Sequence, residues 1–333
     1  MVRELDVNRL RVLMEVAHSA SIAEAARRLA FTPSALSQQI SKLEAELGAR
    51  LLERRPTGVA LTPVGAVLVE HAERVVGELR QARAAVEATI GAQPQRLALG
   101  SFATAAQVLV PTALAALQGR YPGAELSLVD LEPPEGYGLV TSGDLDVLIT
   151  HRYPGVPPTL HPGLDRKPLL GDPLRLVLPA GHRLARRDTR GGIGLDRLAD
   201  ETWISGAPGI PNRTCLESLA EQAGIEPRVA YESADYHVIL ALVGAGLGSA
   251  LVPESMLVGA DRSRVSVHRL RGQAPAREIS VVHRRRPTAL VRELIAFLHS
   301  AADALGRRSP AEGRGSRRRR FDGDAEAASP SPP

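Results

Sequence analysis

Residues 21–47 constrain this chain more than any other segment, because SIAEAARRLAFTPSALSQQISKLEAEL predicts two short helices joined by a tight turn. Ser21 followed by Glu24 has the spacing of a capping box, in which a hydroxyl and a carboxylate satisfy free amides at a helix start. Thr32 then predicts the N-cap of the second helix. Pro33 occupies its first position, where a missing N–H costs nothing. The segment therefore reads as helix, turn and helix.

The second predicted helix has an apolar and a polar side. Its apolar side chains recur at helical spacing and are Leu36, Ile40, Leu43 and Leu47. The candidate DNA contacts on its other faces and at its start are Thr32, Pro33, Ser34, Ser37, Gln38 and Lys42. In a helix-turn-helix, the start of the second helix enters the major groove, where such side chains reach base edges or phosphates. A helical hairpin with polar residues facing water would show the same spacing.

Residues 51–61 favour the DNA-binding interpretation. Two short apolar runs flank Pro56 and Gly58, which predicts a small β-hairpin with Arg54 and Arg55 near its tip. A basic wing beside a recognition helix can lie along phosphates or enter the minor groove. The two arginines are therefore candidate DNA contacts.

Residues 63–93 predict one long linker helix, which starts at the signal Thr62-Pro63 and meets no proline before Pro94. Its apolar residues form a roughly heptad-like stripe: Val67, Leu68, Ala72, Val75, Val76, Leu79, Ala82, Val86 and Ile90. Such a helix needs a partner, and a second copy of the chain is the simplest one. The alternative is packing against another domain of the same chain.

Between Leu5 and about Thr62 the chain carries short motifs in a fixed order: LRVL at 10–13, SI at 21–22, AARRL at 25–29, SALSQQI at 34–40, LE at 43–44, LG at 47–48, LLER at 51–54 and LTPVG at 61–65. In this order they resemble the winged helix-turn-helix of LysR-type transcriptional regulators. The resemblance implies a regulator that binds double-stranded DNA as a homodimer or homotetramer, with RNA polymerase as a further partner. Pro33 stands where the family usually has Gln, and Gln38 where Arg is frequent. The resemblance therefore implies the binding mode but no operator sequence.

Net charge adds little to this interpretation. The formal net charge is +4, but residues 306–333 hold seven arginines against four acidic residues, while residues 1–62 hold nine basic and seven acidic residues. The placement of Lys42, Arg54 and Arg55 is therefore more informative than the bulk charge. The 306–333 tail has almost no large apolar residue and is predicted to be disordered. It either adds weak phosphate contacts or is inert.

Several function classes are disfavoured. Cys215 is the single cysteine, so an internal disulfide or a thiol–disulfide pair is excluded. No signal peptide and no membrane-length apolar run is recognisable, which predicts a cytoplasmic protein without a membrane partner. His151, His161 and His182 lack metal-ligand spacing and are predicted in surface loops. The glycines at 244–248 follow a predicted helix, unlike a dinucleotide fingerprint. We therefore predict no metal, no cofactor and no enzymatic activity.

From residue 95 to about 305, strands and helices alternate, which predicts an α/β domain with a mostly parallel sheet. A second such unit occupies about 168–262. The motifs GDLDV at 143–147, LVLPAGH at 176–182 and GLGSALVP at 246–253 are similar to the effector-binding domain of LysR-type regulators. This similarity implies two α/β lobes of the type II periplasmic-binding-protein kind, with a ligand cleft between them.

In open α/β sheets, ligands lie beyond the carboxyl ends of the strands, and helix N-termini there favour anions. The candidate effector contacts are Ser101, Phe102, Thr104 and Thr150 in the first lobe, with Ser205 and Ser233 in the second. Each hydroxyl could instead be a helix cap, and Ser233 is predicted to cap a helix from Asp235. No arginine is identifiable at this rim. The chain is thus predicted to be a transcriptional regulator controlled by a small-molecule effector. The alternative is a small-molecule binding protein whose N-terminal hairpin serves assembly.

Overall fold

The computed structural model of the protein describes residues 5–56, 58–89, 96–154, 156, 161, 163–185, 191–272 and 275–308. The elements of its N-terminal part are, in chain order, α1 (Val7–Ser19), α2 (Ile22–Arg28), α3 (Pro33–Leu47), β1 (Leu52–Arg55), β2 (Gly58–Leu61) and α4 (Pro63–Thr89). This order is a helix-turn-helix followed by a two-stranded wing and a long helix.

Side-chain caps begin both helices of the helix-turn-helix. The Ser21 hydroxyl accepts a hydrogen bond from the Glu24 amide (3.3 Å), and the Thr32 hydroxyl accepts one from the Ala35 amide (3.2 Å). Between them, Ala30 has a φ of 56°, a left-handed conformation that residues other than glycine seldom adopt. Ser21 therefore marks the start of α2 and Thr32 the start of α3, and Ala30 lies in the turn between the two helices.

The predicted capping box differs in one detail. The Glu24 carboxylate accepts hydrogen bonds from Arg27 (2.6 Å) and Arg28 (2.9 Å) instead of turning back to the start of the helix. These two hydrogen bonds lower the pKa of Glu24 to about 2. The carboxylate therefore stays charged in the first turn of α2, where the helix dipole favours a negative charge.

The apolar side of α3 is the predicted one, with an exception at its end. Leu36, Ile40 and Leu43 are buried in one core with side chains of α1 and α4. Leu47 is the last residue of this stripe and is 39% exposed, so the core ends before it. The helix ends there, and Gly48, with a φ of 65°, turns the chain towards the wing.

The wing is an antiparallel hairpin in which Arg54 lies opposite Val59 and Arg55 opposite Gly58. The Val59 amide donates a hydrogen bond to the Ala20 carbonyl (3.1 Å). Only a glycine fits at position 58, because a Cβ there would lie 2.4 Å from the Ala20 oxygen. The wing is thereby attached to the turn between α1 and α2.

Helix α4 uses two faces. Val69, Ala72 and Val76 are buried in the N-terminal core, which agrees with packing against the same chain. A second set of apolar side chains on α4 stays exposed: Val64, Val67, Val75, Leu79 and Val86. The predicted single stripe is therefore divided between an occupied face and a free one. Ile90 and the predicted end of the helix at 93 lie outside the described residues.

The remaining elements are, in chain order, β3 (Arg96–Ser101), α5 (Ala103–Val108), α6 (Val110–Arg120), β4 (Glu125–Asp130), α7 (Pro133–Ser142), β5 (Val147–Arg152), β6 (Leu164–Pro179), β7 (Thr202–Ser205), α8 (Pro211–Gln222), β8 (Arg228–Glu232), α9 (Tyr236–Gly244), β9 (Ala250–Pro253), β10 (Val265–His268), β11 (Ala276–Arg284) and α10 (Ala289–Arg308). Strand β10 lies beyond the predicted end of the second lobe at 262.

The main sheet has the strand order β10-β6-β11-β5-β3-β4, and β9 also pairs with β6. Strand β3 is parallel to β4 and β5, but β11 is antiparallel to β5 and β6, and β6 is antiparallel to β9 and β10. The prediction of a mostly parallel sheet is therefore wrong, and the sheet is mixed. The reason is that β6 and β11 carry the chain between the two lobes in opposite directions.

Strand β6 runs through both lobes. It has 16 residues. Its first part pairs with β11, and its last part pairs with β9 and β10. The described part of the second lobe is completed by β7 and β8, which pair in parallel. The two lobes are thus joined through β6 and β11, which cross between them.

Helix α7 lies between the first-lobe sheet and α4. Tyr137 and Val140 pack against Leu148 on the sheet side. On the other side, Arg80 of α4 donates a hydrogen bond to the Ser142 carbonyl (3.0 Å). The linker helix is thus in direct contact with the first lobe.

The last helix, α10, packs on the first lobe and continues to Arg308. Residues 306–308, predicted as the start of a disordered tail, are therefore helical, and residues 309–333 lie outside the described part. No helix among the described residues is long and apolar enough to cross a bilayer.

Candidate functional site

Helix α3 presents a polar surface on the side opposite its core. Of the predicted DNA contacts on this helix and at its N-cap, Ser37 is partly exposed and the others are exposed: Thr32, Pro33, Ser34, Gln38 and Lys42. Ser41 was not predicted but is exposed on the same surface. Its position seven residues after Ser34 is the signal that could have identified it.

Three hydroxyls on this surface are already engaged. Ser37 donates a hydrogen bond to the Pro33 carbonyl (2.8 Å), so its oxygen remains available mainly as an acceptor. The Thr32 and Ser34 hydroxyls lie 3.1 Å apart. Within the described residues, the Gln38 side chain makes no hydrogen bond, so both its donor and its acceptor are free.

The two wing arginines differ in their partners. Arg55 lies 2.7 Å from the Glu53 carboxylate, and both side chains are largely exposed. Arg54 is exposed and forms no ion pair with any described residue. Arg54 is therefore the freer of the two cations.

A cavity of about 380 Å³ opens between the lobes, a size typical of small-ligand sites. Its first-lobe wall is formed by residues that follow β3, by the first turn of α7 and by the end of β5. Its second-lobe wall is formed by the loop before α8 and the start of α9. The cleft thus lies at the carboxyl ends of β3 and β5, the edge that sheet topology favours for ligands.

Three of the six predicted effector contacts line this cavity: Phe102, Thr104 and Thr150. The Thr150 hydroxyl lies 3.0 Å from the Tyr137 hydroxyl, which also accepts a hydrogen bond from Arg166 (2.6 Å). The ring of His161 stacks on Tyr137 with centroids 3.9 Å apart. One wall of the cleft is therefore a connected polar and aromatic group.

The other three predicted contacts are not among the lining residues. Ser101 is fully buried, and its hydroxyl donates to the Phe102 carbonyl (3.2 Å). Ser205 is buried at the end of β7. Ser233 accepts a hydrogen bond from the Asp235 amide (3.1 Å), whereas the N-cap of α9 is Asp235 itself. Ser233 therefore organises the loop before α9 and is not its cap.

A buried hydrogen-bond network forms the floor of the cleft, where the strands cross between lobes. Arg277 lies opposite Asp172 in the pairing of β11 with β6, and its Nε donates to the carboxylate (2.9 Å). The same carboxylate accepts a hydrogen bond from the Ser255 hydroxyl (2.6 Å). Tyr153 and Tyr236, from different lobes, join their hydroxyls at 2.7 Å, and burial raises the pKa of Tyr236 well above its usual value. The network therefore connects both lobes at their junction.

Two histidine predictions are wrong. The His151 side chain is only 9% exposed and lines the cleft, with its Nε2 3.4 Å from the Glu132 carboxylate. His182 is largely buried and pairs with Glu201 at 2.9 Å. His151 lies near the end of β5, and His182 follows β6. The sequence pattern alone assigns such positions to surface loops.

The comparisons with known proteins match both parts of the chain. Residues 7–66 match the family model described as "Bacterial regulatory helix-turn-helix protein, lysR family", and residues 91–303 match the "LysR substrate binding domain". The chain belongs to the LysR family of transcriptional regulators. It is thus a regulator with a helix-turn-helix DNA-binding domain and an effector-binding domain.

Individual LysR-family proteins are similar over most of their length. The transcriptional regulator TfdS of Cupriavidus pinatubonensis is 32% identical over 260 residues, which are 76% of this chain and 83% of that protein. Full-length OxyR from Pseudomonas aeruginosa has a TM-score of 0.61 at 22% identity, covering 90% of this chain and 98% of that one. CbnR complexed with its target DNA has a TM-score of 0.50 at 24% identity, covering 90% and 100%. These structures share the fold.

Several cleft residues of this LysR-family chain were missed from the sequence: Tyr137, His151, Arg152, Tyr153, Arg166, Tyr236 and Arg277. His151 and Arg152 directly follow the predicted contact Thr150, so the strand-end rule could have included them. Arg166 and Arg277 come from the crossing strands, and nothing local marks them as cleft residues.

The single cysteine of this LysR-family chain lies apart from the cleft lining. Cys215 is 1% exposed, and burial raises the pKa of its thiol to about 12. Its thiolate, the form that reacts with oxidants, is therefore disfavoured near neutral pH. Among the described residues, no group of three or more side chains has the arrangement of a metal site.

Proposed function

We propose that this LysR-family regulator reads an operator with α3 and holds the neighbouring phosphates with its wing. The observation that carries the proposal is the exposed polar surface of α3, centred on Gln38, together with the exposed wing residue Arg54, which forms no ion pair with any described residue. A glutamine amide can donate to and accept from one adenine edge, while an exposed arginine suits phosphates or a narrow minor groove. The proposed DNA contacts are Thr32, Pro33, Ser34, Ser37, Gln38, Lys42, Arg54 and Arg55.

The proposed control is a small-molecule effector bound in the cleft between the lobes. Phe102, Thr104 and Thr150 are its proposed contacts, since they line a cavity of suitable size. An effector can shift the regulator only if it binds two arrangements of the lobes with different affinity. Because Cys215 is buried as a thiol, the proposed switch responds to ligand binding and not to thiol oxidation. The cleft is proposed to bind this molecule without converting it.

The proposed assembly is a homodimer or homotetramer formed through the free face of α4. Val64, Val75 and Val86 are eleven residues apart and therefore lie on nearly the same side of this helix, and all three are exposed. An exposed apolar surface of this length on a helix is one that a second helix can cover. The regulator is proposed to act in the cytoplasm, on DNA and through RNA polymerase.

The experiment that tests DNA reading is a footprint and titration on the promoter region of the regulator's own gene. The combined change Ser37→Ala with Gln38→Ala should weaken binding to the protected site by about 10- to 100-fold, since losing the one bidentate base contact of Gln38 costs about 1–3 kcal/mol. Binding to unrelated DNA should stay within about twofold, and oligomer size should not change.

The matched control is Gln39→Ala, which removes the same side chain 100° further round the same helix. It should leave operator affinity within about threefold. If the Ser37 and Gln38 double variant binds the operator as the original chain does, or if no sequence-preferring complex forms, the proposal fails and the hairpin serves assembly.

A further inference from the structure

The cleft between the lobes concentrates the aromatic residues of the chain. The protein has only ten aromatic residues, one Trp, five Tyr and four Phe. Four of them line this one cavity: Phe102, Tyr137, Tyr153 and Tyr236. If ten aromatic residues were distributed at random in the protein, four of them would not be expected to line one cavity. The cavity wall is therefore enriched in aromatic side chains.

Prolines extend this apolar lining. Pro133 and Pro134 open α7 on the first-lobe side, and Pro211 opens α8 on the opposite side. Proline side chains are rigid, and aromatic rings pack best against flat partners in stacked or edge-on geometry. The cavity therefore suits a rigid, planar apolar body better than a flexible or strongly hydrated one.

The charges that face the cavity are mainly positive. Arg152, Arg166 and Arg277 line it, against Glu132 as the lining carboxylate. The carboxylates that pair with Arg152 and Arg277 are Glu278 and Asp172, and neither is a lining residue.

Arg166 differs from the other two arginines. Its guanidinium donates to the Tyr137 hydroxyl (2.6 Å) and forms no ion pair with any described residue. A guanidinium has five N–H donors in a planar fork that matches a carboxylate, so most of its capacity is unused here. The Tyr137 hydroxyl fixes the guanidinium beside the aromatic wall.

Two buried polar atoms in the same wall also lack partners. Thr104 Oγ1 and His151 Nδ1 have no hydrogen-bond partner among the described residues, and both side chains line the cavity. Burying a polar atom without a partner costs about 1–3 kcal/mol, so a ligand that supplies the partner recovers this cost. The His151 ring also meets Phe102 edge-on at 4.5 Å, which places one of these atoms within the aromatic group.

We infer that the effector is a small organic anion with a planar, apolar ring, whose anionic group pairs with Arg166 and whose ring packs on Phe102 and Tyr137. This inference rests on the proposed function, because it names the ligand class of the proposed effector cleft. The ring accounts for the aromatic wall, and the anionic group accounts for the unpaired guanidinium. Neither an aliphatic anion nor a neutral ring uses both features.

The test is calorimetric titration of the full chain with matched probes. Benzoate and 1-naphthoate carry both features, benzamide and 1-naphthamide lack the charge, and acetate lacks the ring. At least one aromatic carboxylate should bind at least tenfold more tightly than its own amide and than acetate. The class is overturned if neither aromatic carboxylate binds below millimolar concentration, or if the amides or acetate bind equally well.

Two variants locate the binding. Arg166→Gln should weaken the carboxylate at least tenfold and leave the amide within about threefold, because only the charge pairing is lost. Arg120→Gln on α6, an exposed arginine outside the cavity lining, is the control and should change neither. Equal weakening by both variants would overturn the assignment to the cleft. Operator binding is measured separately, so a failed ligand class with intact operator binding leaves the proposed function standing.

Discussion

Gly77 of α4 lies so close to Thr141 of α7 that a Cβ at position 77 would be 2.2 Å from the Thr141 carbonyl oxygen. A second glycine, Gly138 of α7, lies against a side chain of α4, because a Cβ at position 138 would be 2.4 Å from the Glu73 carboxylate. The two helices therefore touch through their backbones at Gly77 and Thr141. The first turn of α7 also lines the cleft. Helix α7 therefore connects the ligand site directly to α4, the helix that follows the wing.

Replacing Gly77 with valine should separate α4 from α7. The added side chain would meet a backbone oxygen that cannot turn away, and such overpacking costs about 1–3 kcal/mol. Equilibrium unfolding in urea should show this loss for Gly77→Val. The control is Gly119→Ala on α6, where a Cβ meets nothing within 4 Å, and a helical Gly-to-Ala change should stabilise by up to about 1 kcal/mol. Equal stability of Gly77→Val and the original chain would contradict the close contact.

The wing arginines should differ in their contribution to DNA binding. Each phosphate contact adds about 0.9 to the slope of log affinity against log salt concentration. Arg54→Gln should reduce this slope by about one, because Arg54 has no carboxylate partner among the described residues. Arg55→Gln should reduce it less, because Arg55 already shares its charge with Glu53. Salt-dependent titration with a fixed duplex measures both, and a larger effect at Arg55 would show that DNA displaces the Glu53 pair.

The N-terminal part could be predicted well because its signals are local. Ser21, Thr32 and Pro33 act within one turn of their own helix starts, and the apolar spacing of α3 follows from its period. The exposure of Leu47 could not be predicted, because periodicity does not show where burial ends. The left-handed Ala30 is also invisible in the sequence, since alanine has no preference for that conformation.

The lobes and the cleft could be predicted only in part, because their geometry depends on distant residues. Each strand is visible as an apolar run, but its direction in the sheet is not, and β6 and β11 made the sheet mixed. The strand-end rule found Thr150, yet Arg277 reaches the cleft through its pairing with Asp172, about a hundred positions earlier. Arg166 is likewise placed by the Tyr137 hydroxyl and not by its neighbours in sequence.

Asp172 and Arg277 form a buried ion pair at the junction of the lobes, and each should stabilise the fold only when the other is present. Asp172→Leu alone should cost about 3–5 kcal/mol, since it leaves the buried Arg277 guanidinium without a counter-ion. Arg277→Met alone should cost a similar amount. The double variant should be less destabilised than the sum of the two changes, because it leaves no unpaired charge. A double-mutant cycle of unfolding free energies measures this coupling, and strictly additive losses would contradict it.

The contact between His18 of α1 and Glu73 of α4 should make stability depend on pH. The two side chains are 3.0 Å apart, and the hydrogen bond to Glu73 is the largest cause of a raised pKa at His18, with the charges of Glu15 and Asp144 adding to it. Because the folded-state pKa lies above the unfolded value of about 6.5, the folded chain binds this proton more tightly. The stabilisation is therefore complete below about pH 6.5 and is lost as pH rises through the raised folded-state pKa.

His18→Gln should cost on the order of 1 kcal/mol at pH 5.5 and clearly less at pH 8.5. His299→Gln on α10, which forms no ion pair within the described chain, should show no such difference. The measurement is the unfolding free energy of both variants at the two pH values. A cost of His18→Gln that is constant or grows with pH would contradict the charged pair.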